Sequence, residues 1–110
     1  MSHPFEREHH RIQYPTEARP QIVIAGRAHE VIDLSERGVR FRAAEEVNIS
    51  VDDELAGRLQ FRRGEPVDVK GTVLRIAGRE IAVRLEVGVP LKVIIEEQRY
   101  LRERHRGTGR

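Results

Sequence analysis

Between residues 21 and 87 the apolar side chains recur at period two, in short runs, with no helical pattern between them. Val39, Phe41 and Ala43 alternate with Arg40 and Arg42. Val47, Ile49 and Val51 alternate again, Leu55, Leu59 and Phe61 share one parity, and Val67, Val69 and Val73 share a face. Ile81, Val83, Leu85 and Val87 give the cleanest alternation, which is the signature of a half-buried strand. Ile22–Ala25 and Val31–Leu34 are shorter apolar runs. Gly26, Asp52-Asp53, Arg63-Gly64-Glu65-Pro66 and Ala77-Gly78 supply turn chemistry between the runs, and the last of these reads as a hairpin loop. Many short strands without intervening helices exclude a parallel α/β layout and leave an antiparallel barrel or sandwich.

After Gly88 the period switches. Pro90 suits a first helical turn, and Leu91, Ile94, Ile95, Gln98 and Leu101 fall on one face of a helix over about residues 90–104. Residues 1–19 hold His3, His9, His10, several charges and two prolines without sustained periodicity, and read as a flexible N-terminal arm. Residues 20–104 would form the β domain with its C-terminal helix, and 105–110, with Gly107 and Gly109, a disordered tail. A chain of 110 residues supports one core.

Composition excludes several function classes. There is no cysteine, so disulfide and thiolate chemistry are absent. The longest apolar run, Ile22–Ala25, is too short to span a bilayer, and residues 1–11 lack the apolar centre of a signal peptide, so a cytoplasmic location without membrane insertion is expected. Ser35 and Ser50 have no nucleophile-elbow setting, and neither a phosphate-binding Gly-x-x-x-x-Gly-Lys loop nor a Gly-x-Gly-x-x-Gly turn occurs. His9 and His10 are adjacent, which is the wrong spacing for a shared metal on a helix. Glu45-Glu46, Asp52-Asp53 and Glu96-Glu97 read as solvated turn or helix surface. The chain is therefore expected to be no enzyme and to need neither metal nor cofactor.

Eighteen of the twenty basic residues are arginine, with a net charge of only +2, so a lone arginine spacing carries little weight. Two patterns are more specific. Arg7-Glu8-His9-His10-Arg11 places Arg-x-x-x-Arg in the arm. Asp33-Leu34-Ser35-Glu36-Arg37-Gly38 places Asp-x-Ser-x-x-Gly between two expected strands. Read locally, that hexad is a tight turn in which Asp33 and Ser35 fold back on amides and Gly38 supplies a positive φ.

Arg-x-x-x-Arg, one strand, then Asp-x-Ser-x-x-Gly leading into an alternating strand resembles the PilZ domain family, over roughly residues 5–104. The resemblance implies a six-stranded antiparallel β-barrel with a C-terminal helix, and a bacterial receptor for the second messenger cyclic di-GMP. It implies that Arg7, Arg11, Asp33, Ser35 and Gly38 bind that ligand. The chemistry is compatible. Arginine donates in a fork to guanine O6 and N7 or to phosphate, an ionised Asp33 accepts from a guanine N–H edge, Ser35 both donates and accepts, and Gly38 permits close backbone approach. Glu6 stands where family members that bind a stacked pair of ligands carry a basic residue, which implies a single bound molecule. Val73-Leu74-Arg75-Ile76 lacks the late-strand aromatic of some members, and Arg75 reads as a solvent-facing strand arginine rather than one that covers a base with its planar face. The expected output is a stand-alone receptor whose arm orders on binding and signals to a downstream protein partner. Two other readings stand beside it: a non-binding adaptor of the same family, and a small nucleic-acid-binding barrel. The third is disfavoured because Phe5, Tyr14, Phe41, Phe61 and Tyr100 offer little stacking surface, and no specific nucleic acid is expected.

Overall fold

The computed structural model describes residues 11–108, with side chains through residue 104. Seven strands and one helix follow in order: β1 (Ile12–Gln13), β2 (Gln21–Ile24), β3 (Arg27–Ser35), β4 (Gly38–Arg42), β5 (Glu54–Gln60), β6 (Val67–Ala77), β7 (Glu80–Val87) and α1 (Leu91–Thr108), with a 3-10 turn at Thr16–Ala18. Pairing is antiparallel throughout. It runs β3-β2-β5-β6-β7-β4 and returns from β4 to β3, which closes a six-stranded barrel. Strand β1 is an addition to it. It pairs with Asp33 and Leu34 on the edge of β3 that β2 occupies further back.

Period-two patterning fills the barrel, because each strand turns one parity inward. Val31, Leu34, Val39, Phe41, Leu59, Val69, Val73, Ile81, Val83 and Leu85 are buried in one cluster, capped by Ile94 from α1. The tight β2–β3 turn uses Ala25 and Gly26, both at positive φ (51° and 80°), the backbone that a two-residue hairpin with right-handed strand twist requires.

The segment 47–51 alternates as a strand should but is not one. Val47 and Ile49 pack on the core, while every barrel strand already has a partner on both edges, so this extended chain finds no free ladder to join. On α1 the buried stripe runs through Ile94 and Glu97, whereas Leu91 and Ile95 are more than a third exposed. Glu97, expected at the surface with Glu96, is buried because Tyr14 is there to meet it. The helix also continues past residue 104 to Thr108.

Of the arm expected over 1–19, residues 1–10 lie outside the described residues. Ile12, Tyr14 and Ala18 are buried, the Tyr14 N–H donates to the Ile32 carbonyl at 3.0 Å, and the Val31 N–H donates to Pro20 O at 3.0 Å. Too few residues separate these anchors for a periodic signal to emerge.

Candidate functional site

The Asp-x-Ser-x-x-Gly hexad is the β3–β4 hairpin. Ser35 and Gly38 face each other across a two-residue turn, Glu36-Arg37. The turn is held from outside: the Leu85 N–H donates to Arg37 O and the Val89 N–H to Glu36 O, both at 2.9 Å. Ser35 Oγ donates weakly to Gly38 O at 3.5 Å. Gly38 does not adopt the positive φ expected of it, and a Cβ there would meet Ser35 Oγ at 3.4 Å and Val83 O at 3.7 Å, ordinary contact distances. Nor does Asp33 cap a local amide. Its partners are arginines.

The hairpin register and a bulge beyond it explain why. The β3–β4 register slips between Val31 and Asp33, leaving Ile32 as the extra residue. Val31 and Leu34, three positions apart, therefore both point into the core, and Asp33 emerges on the outer face opposite Arg40. A second slip lies between Val73 and Arg75 on β6. Together the two bulges assemble one outward row across four strands: Asp33 opposite Arg40, Arg40 opposite Ala82, Ala82 opposite Arg75. Ala82 is the one small side chain in the row, and the surface dips there into a cleft of about 420 Å³ lined by Arg11, Asp33, Ser35, Gly38, Arg40 and Arg75, among others.

Four of the five expected site residues thus line one cleft, and the fifth, Arg7, lies outside the described residues. The Asp33 side chain is only 7% exposed. Its Oδ2 accepts from Arg40 Nε at 3.0 Å and Arg40 Nη2 at 2.8 Å, and from Arg11 Nη2 at 3.5 Å. Arg40 Nη1 donates in turn to Glu80 Oε1 at 3.0 Å. The hydrogen bond to Asp33, followed by the charges of Asp33 and Glu80, raises the Arg40 pKa further above its ordinary value against the effect of burial. Arg11, 53% exposed and at the long end of its range to Asp33, is held far more loosely. Chemically the cleft offers one oriented carboxylate, a hydroxyl, an open backbone edge at Gly38 and a half-exposed guanidinium. That set suits a planar hydrogen-bonding ring joined to an anion.

In the sequence Arg40 alternates with core residues as any outward strand arginine does. The signal was present: a two-residue turn at Glu36-Arg37 makes Asp33 and Arg40 cross-strand partners by counting. Among the described residues no group of three or more acidic, histidine or cysteine side chains is arranged to hold a metal, and no helix is long and apolar enough to cross a membrane.

Residues 5–103 match the PilZ domain family. Among solved structures, the fold is similar to the crystal structure of the uncharacterized Legionella protein Lpg0364, with a TM-score of 0.61 and 17% sequence identity over 86% of this chain and 96% of that one. A comparison with curated proteins finds no match.

Proposed function

The chain belongs to the PilZ domain family, whose members are receptor modules rather than enzymes, and we propose that it binds cyclic di-GMP in the cleft between β3, β4, β6 and β7. The observation that carries this reading is the convergence of Arg11, Asp33, Ser35 and Gly38 on that one cleft. Asp33 accepts the N–H edge of a guanine. Arg11 leaves its long contact with Asp33 for a phosphate or a guanine O6/N7 edge, and Arg7 joins it from the arm. Ser35 contacts phosphate, and the backbone at Gly38 lets the ligand lie close.

Binding shifts the arm towards a single ordered state, by as much as the ligand's affinity for that state exceeds its affinity for the others. The ordered arm is the new surface that a partner protein, or a second copy of the chain, reads. Calorimetric titration of the purified protein with cyclic di-GMP, alongside GMP and a single-stranded oligonucleotide, tests this. Saturable binding of cyclic di-GMP alone is the expected result. Binding of none leaves a non-binding adaptor, and strongly salt-dependent oligonucleotide binding makes the barrel a nucleic-acid module.

A further inference from the structure

Every nitrogen of the Arg40 guanidinium is engaged: Nε and Nη2 hold Asp33 Oδ2, and Nη1 holds Glu80 Oε1. The fork is anchored on β3 at one end and on β7 at the other, with Arg40 itself on β4. Asp33 Oδ1, by contrast, accepts no hydrogen bond from any described residue, although the side chain is almost wholly buried. Asp33 lines the cleft, so the carboxylate oxygen that the clamp does not use is the acceptor that a ligand donor there meets.

We infer that Arg40, braced by Glu80, is the positioning residue of this site: it fixes the Asp33 carboxylate so that Oδ1 is presented to the ligand as a pure acceptor, and thereby selects guanine over adenine. This rests on the receptor reading above.

The selectivity follows from donor and acceptor counts. An ionised carboxylate accepts and never donates. Guanine presents N1–H and N2–H2 donors side by side, which a fixed carboxylate oxygen can serve. Adenine presents an acceptor at N1, so the same oxygen meets a lone pair. Rejection of a mismatched ring is strong only where the polar group cannot turn away, because a mobile carboxylate would rotate to water. Two bonds from a planar fork to one oxygen, with the fork's far end tied down, remove that freedom. Lysine in the same place supplies charge without the fork.

The test is a double-mutant cycle read by binding. Cyclic di-GMP and cyclic di-AMP are titrated into the wild type, Arg40→Gln, Arg40→Lys, Asp33→Ala and the Asp33→Ala/Arg40→Gln pair, with thermal unfolding run on each. The expected outcome is a loss of tenfold or more in cyclic di-GMP affinity for Arg40→Gln, a smaller preference for cyclic di-GMP over cyclic di-AMP, partial recovery in Arg40→Lys, and no further loss on adding Arg40→Gln to Asp33→Ala. Should Arg40→Gln fail to fold, Arg40→Lys and Glu80→Gln carry the test, each lowering the cyclic di-GMP preference. Unchanged selectivity in folded variants, additive losses in the pair, or tighter binding by Arg40→Gln each overturn the inference while the receptor reading stands. A wild type that binds neither dinucleotide removes the receptor reading and this inference with it.

Discussion

Tyr14 donates a 2.6 Å hydrogen bond to Glu97 Oε1 in the interior, joining residues 83 positions apart. The bond fastens the segment just after Arg11 to the C-terminal helix. Burial, then the bond to Glu97, pushes the Tyr14 hydroxyl well above its ordinary pKa, so it stays a donor. Burial raises the Glu97 pKa too, with Tyr14 and Arg63 opposing it. Tyr14→Phe leaves the carboxyl without its donor and is expected to lower unfolding stability by about 1–3 kcal/mol. A carboxyl whose folded pKa is raised contributes stability below its unfolded value and loses it as pH rises through the folded value. The deficit of Tyr14→Phe, measured by denaturant unfolding, is therefore larger at neutral pH than near pH 4.

His29 gives a dependence of the opposite sign. Its Nδ1 accepts the Ala44 N–H at 3.0 Å, and its ring lies 5.4 Å from Phe41. An accepting Nδ1 requires the neutral ring with its proton on Nε2. Burial, and then the nearby Arg27, lower the His29 pKa. A lowered folded pKa means that the unfolded chain takes up the proton first as pH falls. Stability is full above about pH 6.5 and declines below it towards the folded pKa. The stability of the wild type relative to His29→Gln is expected to fall between about pH 7 and pH 5, a comparison at each pH that removes the opposite dependence of Glu97 common to both proteins.

The architecture was legible because it depends on parity, which a sequence displays directly. The β6–β7 hairpin and the helix after Gly88 follow from the period of the apolar residues, which leaves a barrel or a sandwich; the closed barrel was implied by the resemblance to the family. What parity could not show are the interruptions of parity. The bulge at Ile32 returns Val31 to the core beyond the outward Asp33, and the one before Arg75 brings that residue into the same row. Each adds a single residue to a run that still looks apolar. Glu97 departs from its expected surface position for a related reason: an acid on a helix reads as solvated until a residue far away in sequence supplies its donor.

Ala82 is where the row opens, between Arg40 and Arg75. Its side chain points away from the core, since Ile81 and Val83 on either side point in. Ala82→Leu is expected to fill the dip and to weaken cyclic di-GMP binding by tenfold or more, about 1.4 kcal/mol, with a change in unfolding stability below about 0.5 kcal/mol. Calorimetry and denaturant unfolding on the same preparation separate the two effects. Undiminished binding would move the ligand away from this cleft.

Three glycines divide the demands of the fold from those of the ligand. At Gly71 a Cβ would run into the Arg84 carbonyl, and at Gly88 into the Glu36 carbonyl, backbone atoms with little room to yield. Gly71→Ala and Gly88→Ala are expected to destabilise the barrel by about 1–3 kcal/mol through overpacking. Gly38 is different. Its φ lies outside the left-handed region and its neighbours sit at ordinary contact distance, so Gly38→Ala should leave stability unchanged or raise it by up to about 1 kcal/mol through the less flexible unfolded chain. What the methyl does occupy is the cleft wall, so Gly38→Ala is expected to lose cyclic di-GMP affinity while its unfolding curve stays with the wild type. If affinity and stability instead fell together, the glycine would serve the hairpin and not the ligand.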